Sequence, residues 1–174
     1  MADQAHRVAV ACGMCYHPGK PCNRFVQDVA RNLGIALPGP AAYGKADDIV
    51  AALCLQWAPL TRHEAVLAAG KGAFIVAGLA STKFSWRPIV NRRQAEFAGN
   101  QKQFSGPAVA GVDAPITESG HVCVVIPGAF SGYPRVFSSN AEPGIYGKSC
   151  GDRPLAGHVF THADATRVEY FSPR

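Results

Sequence analysis

The sequence predicts a single α+β domain in which helices come first and strands follow. Three segments repeat apolar residues at helical spacing, namely 22–33, 45–57 and 61–70. After residue 73 the apolar runs become short and rich in β-branched residues, which is typical of strands. Because helices and strands occupy separate parts of the chain, N-terminal helices packed on an antiparallel sheet are favoured over a doubly wound sheet. The length of 174 residues suits one domain, 1–174.

Each predicted helix carries end signals. Pro21 precedes the first helix and Gly34 follows it, as expected of a helix start and a C-terminal cap. Two aspartates stand in the first turn of the second helix, where the helix dipole favours negative charge. Thr61 and Glu64 open the third helix at the spacing of a capping box. Residues 1–20 contain glycine and proline and are predicted to be irregular.

Four segments are predicted to be strands: 73–79, 121–126, 135–139 and 167–171. The connection between the first two, residues 80–119, is polar and long for a compact domain. We therefore predict that 80–119 is a functional insertion or a mobile loop. As an insertion it would border the active-site cleft, select substrate and be the part that an inhibitor protein covers.

The composition narrows the class of function. Seventeen Lys and Arg against twelve Asp and Glu give a net charge of +5, which favours an anionic partner: nucleic acid, acidic membrane or anionic cell wall. The basic residues are scattered and form no run of the nucleic-acid-binding kind, so no nucleic acid is expected as a partner. No apolar run of membrane-spanning length occurs, and the N-terminus lacks the apolar region of a conventional signal peptide. No nucleotide motif is found, and no cofactor is expected.

Cys22 is the candidate nucleophile. It stands at the first position of a predicted helix, where N–H groups and the positive end of the dipole stabilise a thiolate. The same N–H groups can hold the oxyanion of a tetrahedral intermediate. We therefore expect the pKa of Cys22 to lie below that of a free thiol. A structural cysteine at the start of a helix is the alternative.

His121 is the candidate base. It follows Gly120 and opens the apolar run VCVVI, so a rigid strand would present it to the terminus of another element. His158 stands in a similar Gly-His-Val context and is the rival candidate. A strand-end histidine with no catalytic role is the alternative for both.

Two sequence blocks resemble the NlpC-type cysteine peptidases of the papain-like superfamily. The first is CNRFVQDVA at 22–30, in which a helix-start cysteine is followed after two residues by Phe-Val. The second is GHVCVVI at 120–126, the Gly-His-Val block followed by apolar residues. Within this family the chain is most similar to amidase effectors of bacterial type VI secretion systems, and FIVAGL at 74–79 resembles one of their strands.

The resemblance implies a papain-like fold and a peptidoglycan amidase or endopeptidase. Cys22 would attack an amide carbonyl of the peptide stem or cross-link, and His121 would act as general base and acid. Ser138 would orient the imidazole, with Asn140 as the alternative. The resemblance also implies a cognate immunity protein. The chain would be made in the bacterial cytoplasm without a conventional signal peptide and would act in the periplasm of a target cell after secretion.

Other interpretations remain open at this stage. Cys12 and Cys15 form a CxxC motif that suits a redox pair, half of a zinc site or a structural disulfide. We favour the structural role, with Cys150 as a further partner, because no second ligand pair completes a zinc site. The chain could also be a phage or housekeeping cell-wall amidase, or a basic, disulfide-stabilised module that binds cell wall without catalysis.

Overall fold

The computed structural model describes residues 2–40, 44–83, 120–139, 151–156, 159, 160 and 162–174. In these ranges the chain forms one six-stranded antiparallel sheet and five α-helices, which confirms the predicted α+β class. The part of the insertion from 84 to 119 lies outside the described residues, as do Asn140, Cys150 and His158.

The elements follow the chain in a helix-rich half and a strand-rich half. The helices are α1 (Ala2–Cys15), α2 (Cys22–Asn32), α3 (Ala46–Gln56), α4 (Arg62–Gly70) and α5 (His162–Ala165). The strands are β1 (Ala58–Leu60), β2 (Ile75–Leu79), β3 (His121–Phe130), β4 (Tyr133–Ser138), β5 (Gly151–Pro154) and β6 (Glu169–Ser172). A short 3-10 helix, Ser81–Lys83, follows β2.

The strand order is β1-β6-β2-β3-β4-β5, so the histidine-bearing β3 lies inside the sheet. All five residues of β2 pair with β3, from Ile75 opposite Val125 to Leu79 opposite His121. On the other side, the pairing of β3 with β4 stops at Val124 and Phe137. The first residues of β3 therefore extend beyond its last pair with β4, and this end of the strand carries the candidate base.

One face of the sheet is covered by α1, α2 and α3. The apolar side of α2 is fully buried there through Phe25, Val26 and Val29, which belong to the same core cluster as Val122 and Val124 of β3. The Phe25 ring stacks on Phe137 of β4 with 5.8 Å between ring centroids. This packing fixes α2, and with it the position of Cys22, against the two central strands.

The opposite face is covered by α4 and by the segment that leads into β6. Ala65 and Ala69 of α4 are buried in a second core cluster that also contains Ala77, Cys123 and Val125. Alanines on the buried side of a helix allow its backbone to approach a sheet closely. The sheet is thus covered by helices on both faces, and the helices do not all lie on one side.

The sequence signals were accurate for the amphipathic elements. The helix predicted over 22–33 is α2, which ends as expected at a glycine in the left-handed region, Gly34 with φ 72°. The capping box of Thr61 and Glu64 is confirmed at the start of α4. Residues 1–20 were predicted to be irregular, and this was wrong, because Ala2–Cys15 is helical. Val8 and Ala11 of that helix are buried against the core, and this tertiary contact outweighs its weak local signals.

The short edge elements were missed. Strand β1 has three residues and β5 has four, and each pairs with one neighbour at an edge of the sheet. Segments of this length show too few alternating positions to be recognised by periodicity. No helix in the described ranges is long and apolar enough to cross a membrane.

The packing of α2 predicts that truncating a buried apolar side chain lowers the free energy of unfolding much more than truncating an exposed one. Phe25→Ala should lower the free energy of unfolding by about 3–5 kcal/mol, because Phe25 is completely buried and its loss leaves a cavity. Leu55→Ala is the control, since Leu55 on α3 is 78% exposed and should change stability by less than about 0.5 kcal/mol. Urea denaturation measures both, and equal effects would contradict the packing described.

Candidate active site

The helix start that carries Cys22 is defined by its backbone. Pro21 is the N-cap residue in an extended conformation (φ −56°, ψ 141°), and its carbonyl accepts the N–H of Phe25 at 2.9 Å. Cys22 is consequently the first helical residue. Backbone N–H groups of Val122, Asn23 and Cys22 itself face its thiol and favour the thiolate. The contact with Val122 places the sulfur next to the strand end where His121 stands.

The loop before Cys22 is tied to the end of β4. The Ser139 hydroxyl donates to the carbonyl of Lys20 at 2.7 Å, and the carbonyl of His17 lies 3.3 Å from it. The Lys20 ammonium in turn donates to the carbonyl of Cys15 at 2.6 Å and to Asp28 of α2 at 2.8 Å. These bonds hold the connection between α1 and α2 against the strand that carries Ser138.

His121 is held by a serine and an aromatic ring. Its Nε2 lies 2.9 Å from the Ser138 hydroxyl oxygen, within hydrogen-bonding distance. The Phe160 ring packs edge-on against the imidazole, with 5.5 Å between centroids. Both His121 and Ser138 are buried. Ser138, which the resemblance proposed as the orienting residue, thus contacts the imidazole directly, whereas Asn140 lies outside the described residues.

The two candidate residues reach the strand end from different faces. Helix α2 packs on the face of Val122 and Val124, whereas the imidazole lies on the opposite face, with Phe160 and Ser138. The pairing of β3 with β4 has ended at this level, and the N–H of Val122 faces the Cys22 sulfur there. The thiol therefore lies at the edge that opens between β3 and β4, beside the residue that bears the imidazole.

Burial sets the protonation of both groups. Desolvation raises the pKa of the Cys22 thiol, and it outweighs the three N–H groups that favour the thiolate; the negative charge of Asp47 raises this pKa further. Desolvation also lowers the pKa of His121 to about 4. The resting pair is consequently a neutral thiol and a neutral imidazole at neutral pH. The expectation of an acidic Cys22 was wrong, because desolvation of this half-buried thiol outweighs the N–H groups at the helix start.

Asp47 is a site residue that the sequence analysis noted only as a helix-start charge. Its Oδ1 accepts the backbone N–H of Ser81 at 2.6 Å. The same oxygen lies close to Gly120, since a β-carbon built on that glycine would be 2.7 Å from it. Pairs of aspartates in a first helical turn are common, so position alone could not show that this one faces the sheet. Ser81 and Gly120, which lie on either side of the undescribed residues 84–119, therefore meet at Asp47.

The other cysteines that the structure describes are free thiols. Cys12 and Cys15 lie in the last turn of α1 as free thiols, so the disulfide role proposed for them is not observed in the described residues. Cys54 is exposed and Cys123 is buried, and both are free. No group of three or more His, Cys, Asp or Glu is placed to hold a metal ion within the described ranges.

The pKa of His121 predicts a pH-dependent stability. A group whose pKa falls from 6.5 unfolded to about 4 folded binds fewer protons in the folded state, so its contribution is complete above pH 6.5 and is lost as pH falls through about 4. The loss amounts to about 3 kcal/mol for a shift of this size. His121→Gln should remove this slope, and His63→Gln, at an exposed site on α4, should keep it. Urea denaturation at a series of pH values measures the slope of the free energy of unfolding against pH. Equal slopes in the wild type and His121→Gln would contradict the burial of a neutral imidazole.

The raised pKa of Cys22 predicts that its thiol ionises at a higher pH in folded than in unfolded protein, whereas the helix dipole alone would lower that pH. In folded protein, alkylation of Cys22 by iodoacetamide should reach half its limiting rate at a higher pH than in urea, because burial raises the Cys22 pKa. Peptide mapping of labelled protein against pH separates Cys22 from the other thiols. A folded midpoint at or below the unfolded one would restore the acidic-thiol interpretation.

The site thus combines a helix-start thiol, a buried imidazole and a serine that contacts it at one end of β3. A thiol, an imidazole and a hydroxyl are the side-chain types that a nucleophile, a base and an orienting group would need. No model of a known protein family matches this chain, and no curated protein matches it.

Proposed function

We propose that this protein is a papain-like, NlpC-type cysteine amidase that hydrolyses an amide bond in the peptide stem or cross-link of peptidoglycan. One observation carries the proposal: the N–H of Val122 faces the Cys22 thiol, and the preceding residue, His121, contacts Ser138 through Nε2. Nucleophilic acyl transfer requires a nucleophile, a base and an orienting group, and these three residues would supply them.

The neutral resting pair determines how acylation would begin. Since Nε2 is directed to Ser138, Nδ1 of His121 would take the thiol proton while the sulfur attacks the amide carbonyl carbon. The carbonyl π electrons move to oxygen and give a tetrahedral oxyanion. N–H groups at the start of α2, those of Cys22 and Asn23, are available to stabilise this charge.

The second half returns the enzyme to its starting state. The oxyanion collapses, the C–N bond breaks, and the imidazolium gives its proton to the leaving amine, which leaves a thioester on Cys22. Neutral His121 then takes a proton from water as the water oxygen attacks the thioester. Collapse of this intermediate releases the carboxylic acid, and the thiolate regains its proton from the imidazolium. The Ser138 hydroxyl accepts from Nε2–H whenever the ring is charged.

The fold supports the papain-like part of the proposal. The nucleophile begins a helix that packs on the central strands, two further helices follow, and the base begins an inner antiparallel strand. This is the order in which the family resemblance places its two sequence blocks. The net charge of +5 favours binding to an anionic cell wall.

The biological setting is proposed on the resemblance to type VI secretion amidase effectors. In that setting the chain would be exported by a contractile secretion machine, would act in the periplasm of a target cell, and would be inhibited by an immunity protein in the producing cell. A phage or housekeeping wall amidase would share the same chemistry. A non-catalytic wall-binding module is the different class of function, and it requires no turnover at Cys22.

Hydrolysis of purified peptidoglycan, followed by mass analysis of the released muropeptides, tests the proposal and identifies the amide that is cut. Cys22→Ala should abolish product, and Cys54→Ala, which removes an exposed thiol from α3, should not. His121→Ala should lose about 10²–10⁴-fold in rate, as for loss of general acid–base catalysis.

Two controls decide the assignment of the base. His63→Ala removes an exposed histidine of α4, and His158→Ala removes the rival Gly-His-Val histidine. Both variants should retain wild-type turnover. Retained turnover in Cys22→Ala would reject the mechanism, and loss of turnover in His158→Ala but not in His121→Ala would transfer the base role to His158. Binding of peptidoglycan without any released muropeptide would favour the wall-binding module.

A further inference from the structure

Beside the thiol and the imidazole, α3 brings a carboxylate to the same end of the sheet. Asp47 is the second residue of α3, and it is half-buried. The capping of this helix is performed by its neighbour, Asp48, whose Oδ2 accepts the N–H of Lys45 at 2.8 Å. Asp47 is thus not needed as the helix cap, and its side chain is directed to the sheet.

The carboxylate bridges two strand ends. Its Oδ1 accepts the N–H of Ser81, just after β2 ends at Leu79, at 2.6 Å. The same oxygen packs against Gly120, directly before β3 begins at His121. Leu79 and His121 form the last pair of β2 and β3. Asp47 therefore fixes the end of β2 and the start of β3, and Gly120, which it contacts, directly precedes His121.

Gly120 is required for this contact. A β-carbon at this position would lie 2.7 Å from Asp47 Oδ1 and would also collide with the carbonyl oxygen of Leu79. The absence of a side chain allows the backbone before His121 to lie against the carboxylate. Close contact with Asp47 and Leu79 therefore explains why the residue before His121 is a glycine in this chain.

We propose that Asp47 is a positioning residue for the Cys22–His121 pair, whose carboxylate holds the ends of β2 and β3 where β3 begins at His121. This positioning role deepens the function proposed above and rests on it. Among the described residues, titratable groups near this end of α2 include Asp47 from α3 and His121 from β3. The Asp47 charge has a separate, electrostatic effect: it disfavours the Cys22 thiolate, although less than desolvation does.

Charge and positioning can be separated by two substitutions at one residue. Asp47→Asn keeps an oxygen that can accept the Ser81 N–H but removes the charge, whereas Asp47→Ala removes both. Asp48→Asn is the matched control, because it removes a charge of the same sign from the next residue, which caps the helix and is exposed.

The first readout does not depend on catalysis. The pH midpoint of Cys22 alkylation by iodoacetamide in folded protein should move to lower pH in Asp47→Asn and should stay near the wild-type value in Asp48→Asn. An unchanged midpoint in Asp47→Asn, or equal shifts in both variants, would overturn the electrostatic part. This readout is valid whether or not the protein hydrolyses peptidoglycan.

The second readout is turnover of peptidoglycan by folded variants. Asp47→Ala should lose about 10–100-fold in kcat/KM, as expected when reacting groups are displaced by about 1 Å, and Asp47→Asn should recover a large part of it. Wild-type turnover in Asp47→Ala would overturn the positioning role. If the Cys22→Ala control shows that Cys22 is not needed for turnover, the proposed function fails, and the alkylation result alone then decides the electrostatic part.

Discussion

The burial of the apolar side of α2 against the central strands is the constraint on which the site depends. Phe25, Val26 and Val29 are completely buried, and the Phe25 ring stacks on Phe137 of β4. A residue at the first position of this helix cannot move independently of β3 and β4. Cys22 therefore reaches the main chain of Val122 because the core positions the helix, and the N–H contact is a consequence of that packing.

The same burial has two opposite effects on chemistry. Desolvation raises the pKa of the half-buried thiol and lowers the pKa of the buried imidazole, which leaves both groups neutral. A low-dielectric site also strengthens each N–H group that faces a developing oxyanion. Because the thiol and the imidazole are both neutral, their burial costs little stability at neutral pH. The oxyanion that forms during attack on an amide would face backbone N–H groups that are already in place.

Side-chain hydrogen bonds at the strand ends join segments that are far apart in the sequence. Ser139 ties the loop before Cys22 to the end of β4, and Asp47 ties the end of β2 to the start of β3. Each bond joins residues more than 30 positions apart in the chain. The polar residues of the site are thus held by side-chain hydrogen bonds at the margins of a core that is otherwise apolar.

Local periodicity and end signals were enough to predict the α+β class, the start of α2 at Cys22, the capping box at Thr61 and the strand that begins at His121. The sequence also indicated Ser138 as a partner of the imidazole, although by resemblance and not by physics. The helix over residues 2–15 could not be predicted in this way, since its weak local pattern is stabilised by contact with the core. Only the tertiary structure, likewise, showed that desolvation outweighs the helix dipole at Cys22 and that Asp47 faces the sheet, because burial and the distance between remote residues are properties of the assembled core and not of any short segment.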